Sequence, residues 1–183
     1  FGVLYAGCVA VPAYPPRRRT IERFAAIVRD AGARVALSTA PSIAQFDAMR
    51  ESTPDGFPDL RWLATEELAR ADGDGWAEHE PPPDSLAMIQ YTSGSTRSPK
   101  GVALSHANLV ANIRGIAASF EIKRDSVGVV WLPAYHDMGL IGGVLAPVFT
   151  GITNIMMAPA SFLQNPFSWL DAISRFRATM SGG

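Results

Sequence analysis

The sequence predicts an α/β fold, a mostly parallel sheet flanked by helices. Two observations carry that expectation. Apolar runs of strand length alternate with segments of helical periodicity, and the connections between successive strands are too long for hairpins. In such a sheet ligands gather where loops leave the carboxyl ends of strands, so chemistry is expected after Tyr91, Leu132 and Met180.

In chain order, Phe1 to Val11 reads as a helix end running into a strand, stopped by Pro12, Pro15 and Pro16. Thr20 caps a helix through Ala31, with Ile21, Phe24, Ala25, Ile27 and Val28 at helical spacing and Gly32 at its end. Arg34 to Ser38 reads as a short buried strand, followed by a helix near Ser42 to Arg50, a Pro/Asp/Gly loop and a strand at Arg61 to Ala64. Residues 72 to 85, acidic and glycine-bearing with Pro81, Pro82 and Pro83 in a row, form a surface excursion. Strand Leu86 to Tyr91, a polar loop and a return at Val102 to Leu104 come next, then a helix that Ser105 opens as N-cap and that runs to about Phe120. The remainder reads as strand Val127 to Leu132, helix Met138 to Phe149, strand Ile152 to Met157, helix Pro166 to Phe176 and a strand beginning at Ala178 to Ser181.

Composition narrows the function classes. With 183 residues, 48% of them hydrophobic, the chain can bury a substantial core. A formal net charge of −1 leaves no basic stripe for nucleic acid, and Arg17-Arg18-Arg19 is too short a run to supply one. The single cysteine, Cys8, cannot form an internal disulfide, and its apolar neighbours Ala6, Gly7 and Val9 predict burial in a reducing, cytoplasmic setting. Met138 to Leu170 carries no charge, but Pro147, Gly151, Asn154, Pro159 and Gln164 interrupt it, so buried sheet and helix are expected there and no transmembrane segment. The opening at Phe1 has no basic signal region, and Ser181-Gly182-Gly183 follows an apolar segment where a turn would lead onward. Both ends read as cut through structure, and residues 1–183 as part of a larger domain.

The polar loop concentrates the chemistry. Tyr91-Thr92-Ser93-Gly94-Ser95-Thr96-Arg97-Ser98-Pro99-Lys100-Gly101 follows an apolar strand and has the composition of a phosphate cradle. Gly94 allows close backbone approach, Ser93, Ser95 and Thr96 offer hydroxyl and amide donors, and Lys100 supplies a compact cation. A P-loop NTPase is disfavoured, because Lys100 precedes Gly101 and the chain returns to Val-Ala-Leu instead of entering a helix. The plain alternative is a solvated Ser/Thr/Gly turn.

The string Tyr-Thr-Ser-Gly-Ser-Thr-x-x-Pro-Lys-Gly-Val, however, resembles the signature loop of the adenylate-forming superfamily of acyl-CoA synthetases, nonribosomal-peptide adenylation domains and luciferases. That resemblance implies the large N-terminal domain of such an enzyme, with ATP held at its β- and γ-phosphates by Thr92, Ser93, Gly94, Ser95, Thr96 and Lys100, the last two also catalytic. Arg97 stands where the commonest family pattern has Gly.

A second string, Trp131-Leu132-Pro133-Ala134-Tyr135-His136-Asp137-Met138-Gly139-Leu140, follows a strand and opens a helix, with Asp137 placed to cap it. A lone histidine is commonly structural. His-Asp-Met-Gly-Leu nevertheless is similar to the family motif whose histidine lies beside the substrate carboxylate and the reacting phosphate, which implies catalytic and substrate-binding roles for His136. Gly139, Gly142 and Gly143 cost a helix about 0.5–1 kcal/mol each relative to alanine. Close helix-to-sheet packing would explain them, and so would an acyl channel walled by Ile141, Val144 and Leu145.

The Pro-x-Tyr-His-Asp-Met-Gly-Leu-Ile-Gly-Gly string, Pro159 to Pro166, Trp169 to Thr179, Val9 to Arg17 and Ile27 to Ala33 look like the fatty-acyl-AMP ligase branch. In that branch the Ser-Gly-Gly turn begins the adenine-binding region, which implies Gly182 and Gly183 as nucleotide contacts. The resemblance further implies activation of a long-chain fatty acid as acyl-adenylate, with transfer to an acyl carrier protein or polyketide synthase carrier domain. Mg2+ is implied too, its acidic ligand lying outside this chain together with the ribose aspartate and the C-terminal domain and its lysine; no residue here is assigned to metal. The alternatives are a long-chain acyl-CoA synthetase delivering to CoA, or a non-catalytic nucleotide- or acyl-binding module. By itself the fragment is expected to be inactive.

Overall fold

The structure, a computed structural model, describes residues 1–50, 57–69, 73–92 and 99–182. They form two compact units, Phe1–Leu104 and Ser105–Gly183.

The first unit opens with a single turn, α1 (Gly2–Tyr5), after which Ala10 bridges Met88 in parallel. Helix α2 (Ile21–Ala31) buries Ile21, Ala25, Ile27 and Val28, the stripe its periodicity marked. Its C-terminus closes as a Schellman turn: Gly32 is left-handed at φ 61° and Ala33 N–H donates to Val28 O. Thr20 stands at the N-cap position but does not cap through its side chain. Its hydroxyl accepts instead from Arg17 N–H, turning the entering chain.

Strands β1 (Val35–Ser38) and β2 (Arg61–Ala64) pair in parallel, with Val35 opposite Arg61, and flank helix α3 (Ala40–Arg50). The sequence expectation of a buried β1 fails, because Val35 is 51% and Leu37 44% exposed, alternate residues of a strand covered on one face. The covered side holds a ring cluster of Phe24, Phe46, Phe57 and Trp62, with Phe46 only 1% exposed. After the turn α4 (Thr65–Leu68), strands β3 (Leu86–Tyr91) and β4 (Gly101–Ser105) pair with each other. Cys8 is exposed rather than buried, in the segment that follows the end of α1 at Tyr5.

The second unit begins with α5 (His106–Ser119), capped as the sequence predicts. Ser105 Oγ accepts from Asn108 N–H while Asn108 Oδ1 accepts from Ser105 N–H, a reciprocal box with Asn in the usual Glu/Gln place. Strand β5 (Val127–Val130) is buried at its centre and pairs in parallel on both edges, with β6 (Thr153–Met156) and β7 (Met180–Gly182). Helices α7 (Pro159–Gln164) and α8 (Phe167–Arg175) lie between β6 and β7, and α7 has no counterpart in the sequence reading. The uncharged stretch is not buried throughout: Leu163 and Phe167 are each 76% exposed. Among the described residues no helix is long and apolar enough to cross a membrane.

The helix expected from Met138 to Phe149 divides in two. Met138–Leu145 winds as a π-helix and α6 (Ala146–Thr150) continues it as an α-helix. The break has a chemical cause at Pro147, which has no N–H to give the carbonyl of Gly143 four residues earlier. Asn154 of β6 supplies the missing donor, its Nδ2 lying 2.7 Å from Gly143 O. The rest of the Asn154 amide lies against Gly128 of β5, which has no side chain to exclude it. Replacing Asn154 by Ala should leave Gly143 O without that partner and destabilise the protein by about 1–3 kcal/mol. Asn154→Asp, which keeps the shape but loses the amide donor, should be no better, as read from urea unfolding midpoints.

Candidate active site

The structure places sequence-predicted residues at loop roots in each unit. In the first, Thr92 and Lys100 stand at the two ends of the polar loop. Thr92 N–H donates to Lys100 O at 3.2 Å, joining the ends, and Arg23 Nη2 donates to Thr92 O at 2.6 Å. Lys100 is exposed and forms no ion pair with a described residue. Pro99 beside it is buried. Ser93, Gly94, Ser95, Thr96 and Arg97 lie outside the described residues.

At the end of β3, Tyr91 Oη donates to Asp30 Oδ2 at 2.6 Å. Burial, and then the Asp30 hydrogen bond and charge, push the Tyr91 phenol up to about 12 from its ordinary 10.0. The folded state therefore holds a proton that the unfolded chain releases above about pH 10, so this contribution is intact below that pH and lost as pH rises towards 12. Denaturant titrations at pH 9 and pH 11 should show a larger loss for the native protein than for Tyr91→Phe.

In the second unit the root is the carboxyl end of β5. The loop after Val130 carries His136, whose Nδ1 lies 2.6 Å from Asp137 Oδ1. A carboxylate only accepts, so Nδ1 carries the proton of that bond and Nε2 is the position left for a ligand. Asp137 Oδ1 also accepts from Met138 N–H at 2.7 Å, the helix-opening role its position predicted. The imidazole is half exposed, its side chain at 47%.

The glycines separate into different environments. A Cβ on Gly139 would overlap the Pro133 carbonyl oxygen and lie 2.7 Å from Pro133 C, so the π-helix touches the backbone of the histidine loop there. Gly143 packs on Val130, where a Cβ would lie 3.2 Å from Cγ2. Gly142 faces open space. Close packing thus accounts for Gly139 and Gly143 but not for Gly142.

Gly182 is the last residue of β7 and pairs with Val130, so it is a strand residue at the carboxyl end of the sheet and not part of a turn. Gly183 lies outside the described residues. Beside them Ser181 Oγ donates to Val129 O at 2.7 Å and accepts from Trp169 Nε1 at 2.8 Å. Trp131 stacks on Phe162 with centroids 3.8 Å apart and planes 6° from parallel, and its buried Nε1 has no hydrogen-bond partner among the described residues. Sequence reasoning gave no role to Arg23, Asp30, Asn154 or Ser181, although Asn154 stood out as a polar residue within an apolar run and Asp30 and Ser181 lie in strings that resemble the family. No group of three or more His, Cys, Asp or Glu able to hold a metal occurs among the described residues.

The AMP-binding enzyme family matches residues 1–183, the full chain. The chain belongs to the AMP-binding enzyme family. Within the family, a solved fatty acyl-adenylate ligase from L. pneumophila, in complex with acyl adenylate and pyrophosphate, is 42% identical and superposes with a TM-score of 0.87, covering 100% of this chain and 31% of that one. The medium-chain-fatty-acid–[acyl-carrier-protein] ligase JamA of Moorena producens is 38% identical over 190 residues, which is 100% of this chain and 32% of the relative. The long-chain-fatty-acid–AMP ligase FadD23 of Mycobacterium tuberculosis is 36% identical over 184 residues, with 95% and 31% covered. These are fatty-acid ligases, in agreement with the branch that the sequence resembles. The chain spans about a third of the length of the curated relatives it matches.

Gly139→Ala should force the π-helix off the Pro133 carbonyl. A loss of stability of about 1–3 kcal/mol is expected, seen as a lower urea midpoint, whereas Gly142→Ala, with open space around it, should leave the midpoint within about 1 kcal/mol.

Proposed function

We propose that this chain is part of the N-terminal adenylation domain of a longer enzyme that uses ATP to activate a fatty acid as acyl-adenylate, for transfer to a carrier-protein phosphopantetheine. The observation that carries the reading is the pair of signature strings at strand ends. One leaves Lys100 exposed, with no ion pair to a described residue, where a Ser/Thr/Gly string meets β4; the other leaves a half-exposed imidazole with one nitrogen already bonded. The similarity to a ligase solved with acyl adenylate and pyrophosphate supports the same chemistry.

In this reading a fatty-acid carboxylate oxygen attacks the α-phosphorus, the bond from that phosphorus to the bridging oxygen of the β-phosphate breaks, and pyrophosphate leaves. Lys100, Thr92, Ser93, Gly94, Ser95 and Thr96 hold the β- and γ-phosphates, where the ammonium offsets negative charge that grows on the leaving group. His136 orients the carboxylate at the carboxyl end of β5, with Asp137 fixing its tautomer. Gly182 and Gly183 form the start of the adenine wall, and Gly142, with open space before it, lines the acyl path beside the packed Gly139 and Gly143. The described residues supply no acidic cluster for Mg2+, and its ligands are assigned outside them. The acyl chain is of medium or long length, as in the two curated ligases above, and the enzyme works in the cytoplasm. The large exposed side chains Leu163 and Phe167 fit a segment that the rest of the enzyme covers.

Fatty-acid-dependent ATP–pyrophosphate exchange tests the proposal on the full-length protein. Exchange should require a fatty acid and fall by about a hundredfold or more in Lys100→Ala. A polypeptide of these 183 residues alone should give none. No exchange with any carboxylate would remove the ligase reading, and supplying carrier protein or CoA to the pre-formed adenylate shows which acceptor is used.

A further inference from the structure

Helix α2 lies outside the phosphate-loop signature, yet two of its polar side chains hold the segment that enters the loop, at Tyr91 and Thr92. Arg23 and Asp30 are seven residues apart, two turns along one face, while Ile21, Ala25, Ile27 and Val28 carry the apolar stripe. Arg23 Nη2 donates to Thr92 O at 2.6 Å, and the N–H of the same Thr92 donates to Lys100 O. Thr92 is thus fixed through both its backbone polar groups, one by a charged donor from α2 and the other by the residue that carries the ammonium.

Asp30 acts one residue earlier. It accepts from the Tyr91 hydroxyl, and the Tyr91 ring packs against Gly101, where a Cβ would lie 3.1 Å from Cζ and 3.2 Å from Cε1. Gly101 follows Lys100 directly. Two independent contacts from one helix therefore converge on the residues that flank or include the lysine, one through Thr92 to Lys100 and one through Tyr91 to Gly101. A charge-assisted bond to a carbonyl is also shorter and stronger than a neutral one, which suits a fixed anchor better than general packing would.

We propose that Arg23 and Asp30 are positioning residues for the ATP phosphates: they fix the backbone at Thr92 and Lys100 so that the Lys100 ammonium meets the triphosphate without first paying to order its own main chain. The inference rests on the ligase reading for its substrate. The clamp itself is a property of the fold.

The test uses the full-length protein with Arg23→Ala, Arg23→Lys, Asp30→Ala and Asp30→Asn. In pyrophosphate exchange the two alanine variants should raise KM for ATP by about tenfold and leave KM for the fatty acid unchanged. Arg23→Lys, which keeps a cationic donor, and Asp30→Asn, which keeps an acceptor for Tyr91, should recover most of that loss. In parallel, hydrogen–deuterium exchange of the segment from Tyr91 to Gly101 should quicken at the Thr92 amide in the alanine variants. Equal rises in both KM values, no rescue by the conservative variants, or a Thr92 amide exchanging as in the native protein would each overturn the proposal. If the native protein catalyses no pyrophosphate exchange, the ligase reading falls and amide exchange at Thr92 still decides whether the clamp exists.

Discussion

Strand β5 pairs in parallel on both edges, and the second unit is organised by that ladder. Every backbone group of a central strand must find a partner, so β6 and β7 are drawn to the same register on either side, Val130 standing opposite both Met156 and Gly182. Parallel pairing then brings the carboxyl ends of all three strands to one edge. The histidine loop leaves from the middle of that edge and Gly182 stands beside it. The candidate site residues of this unit are brought to one edge by the ladder before any side chain is considered.

Around the ladder, polar side chains repair what the backbone cannot do alone. Pro147 removes a donor that Gly143 O needs, and Asn154 restores one from the neighbouring strand. Ser181 links Val129 O to the Trp169 indole, tying β5, β7 and α8 together. Arg23 and Asp30 do comparable work in the first unit, at Thr92 and Tyr91 where β3 leads into the polar loop. Such groups are inconspicuous in sequence because each is a single polar residue with an ordinary neighbourhood. Their importance lies in a partner 11 to 69 positions away.

Strands with strong apolar runs were legible almost to the residue: Arg61 to Ala64 and Leu86 to Tyr91 are as read, and Ser105 caps α5 as its position implied. Short or compensated features were not. Thr20 sits where a cap belongs yet bonds backwards to Arg17, because a hydroxyl can satisfy either direction and only the entering chain decides which. Helix α7 escaped notice because its six residues carry no apolar period. The division at Pro147 had a sequence signal in the proline itself, outweighed by the apolar run around it.

By itself the sequence determined the α/β class and the order of the main elements, and it singled out two loops as candidates for chemistry, since these follow from local periodicity and from side-chain types at fixed spacing. It also determined family, because the signature strings are long. Burial was decided elsewhere: Cys8 and Val35 are apolar in setting yet exposed, and the glycines of one helix meet a backbone, a side chain and open space in turn. Only the tertiary structure settled which polar groups meet, because a hydrogen bond between Arg23 and Thr92 depends on how a helix is laid against a strand and not on anything either segment contains.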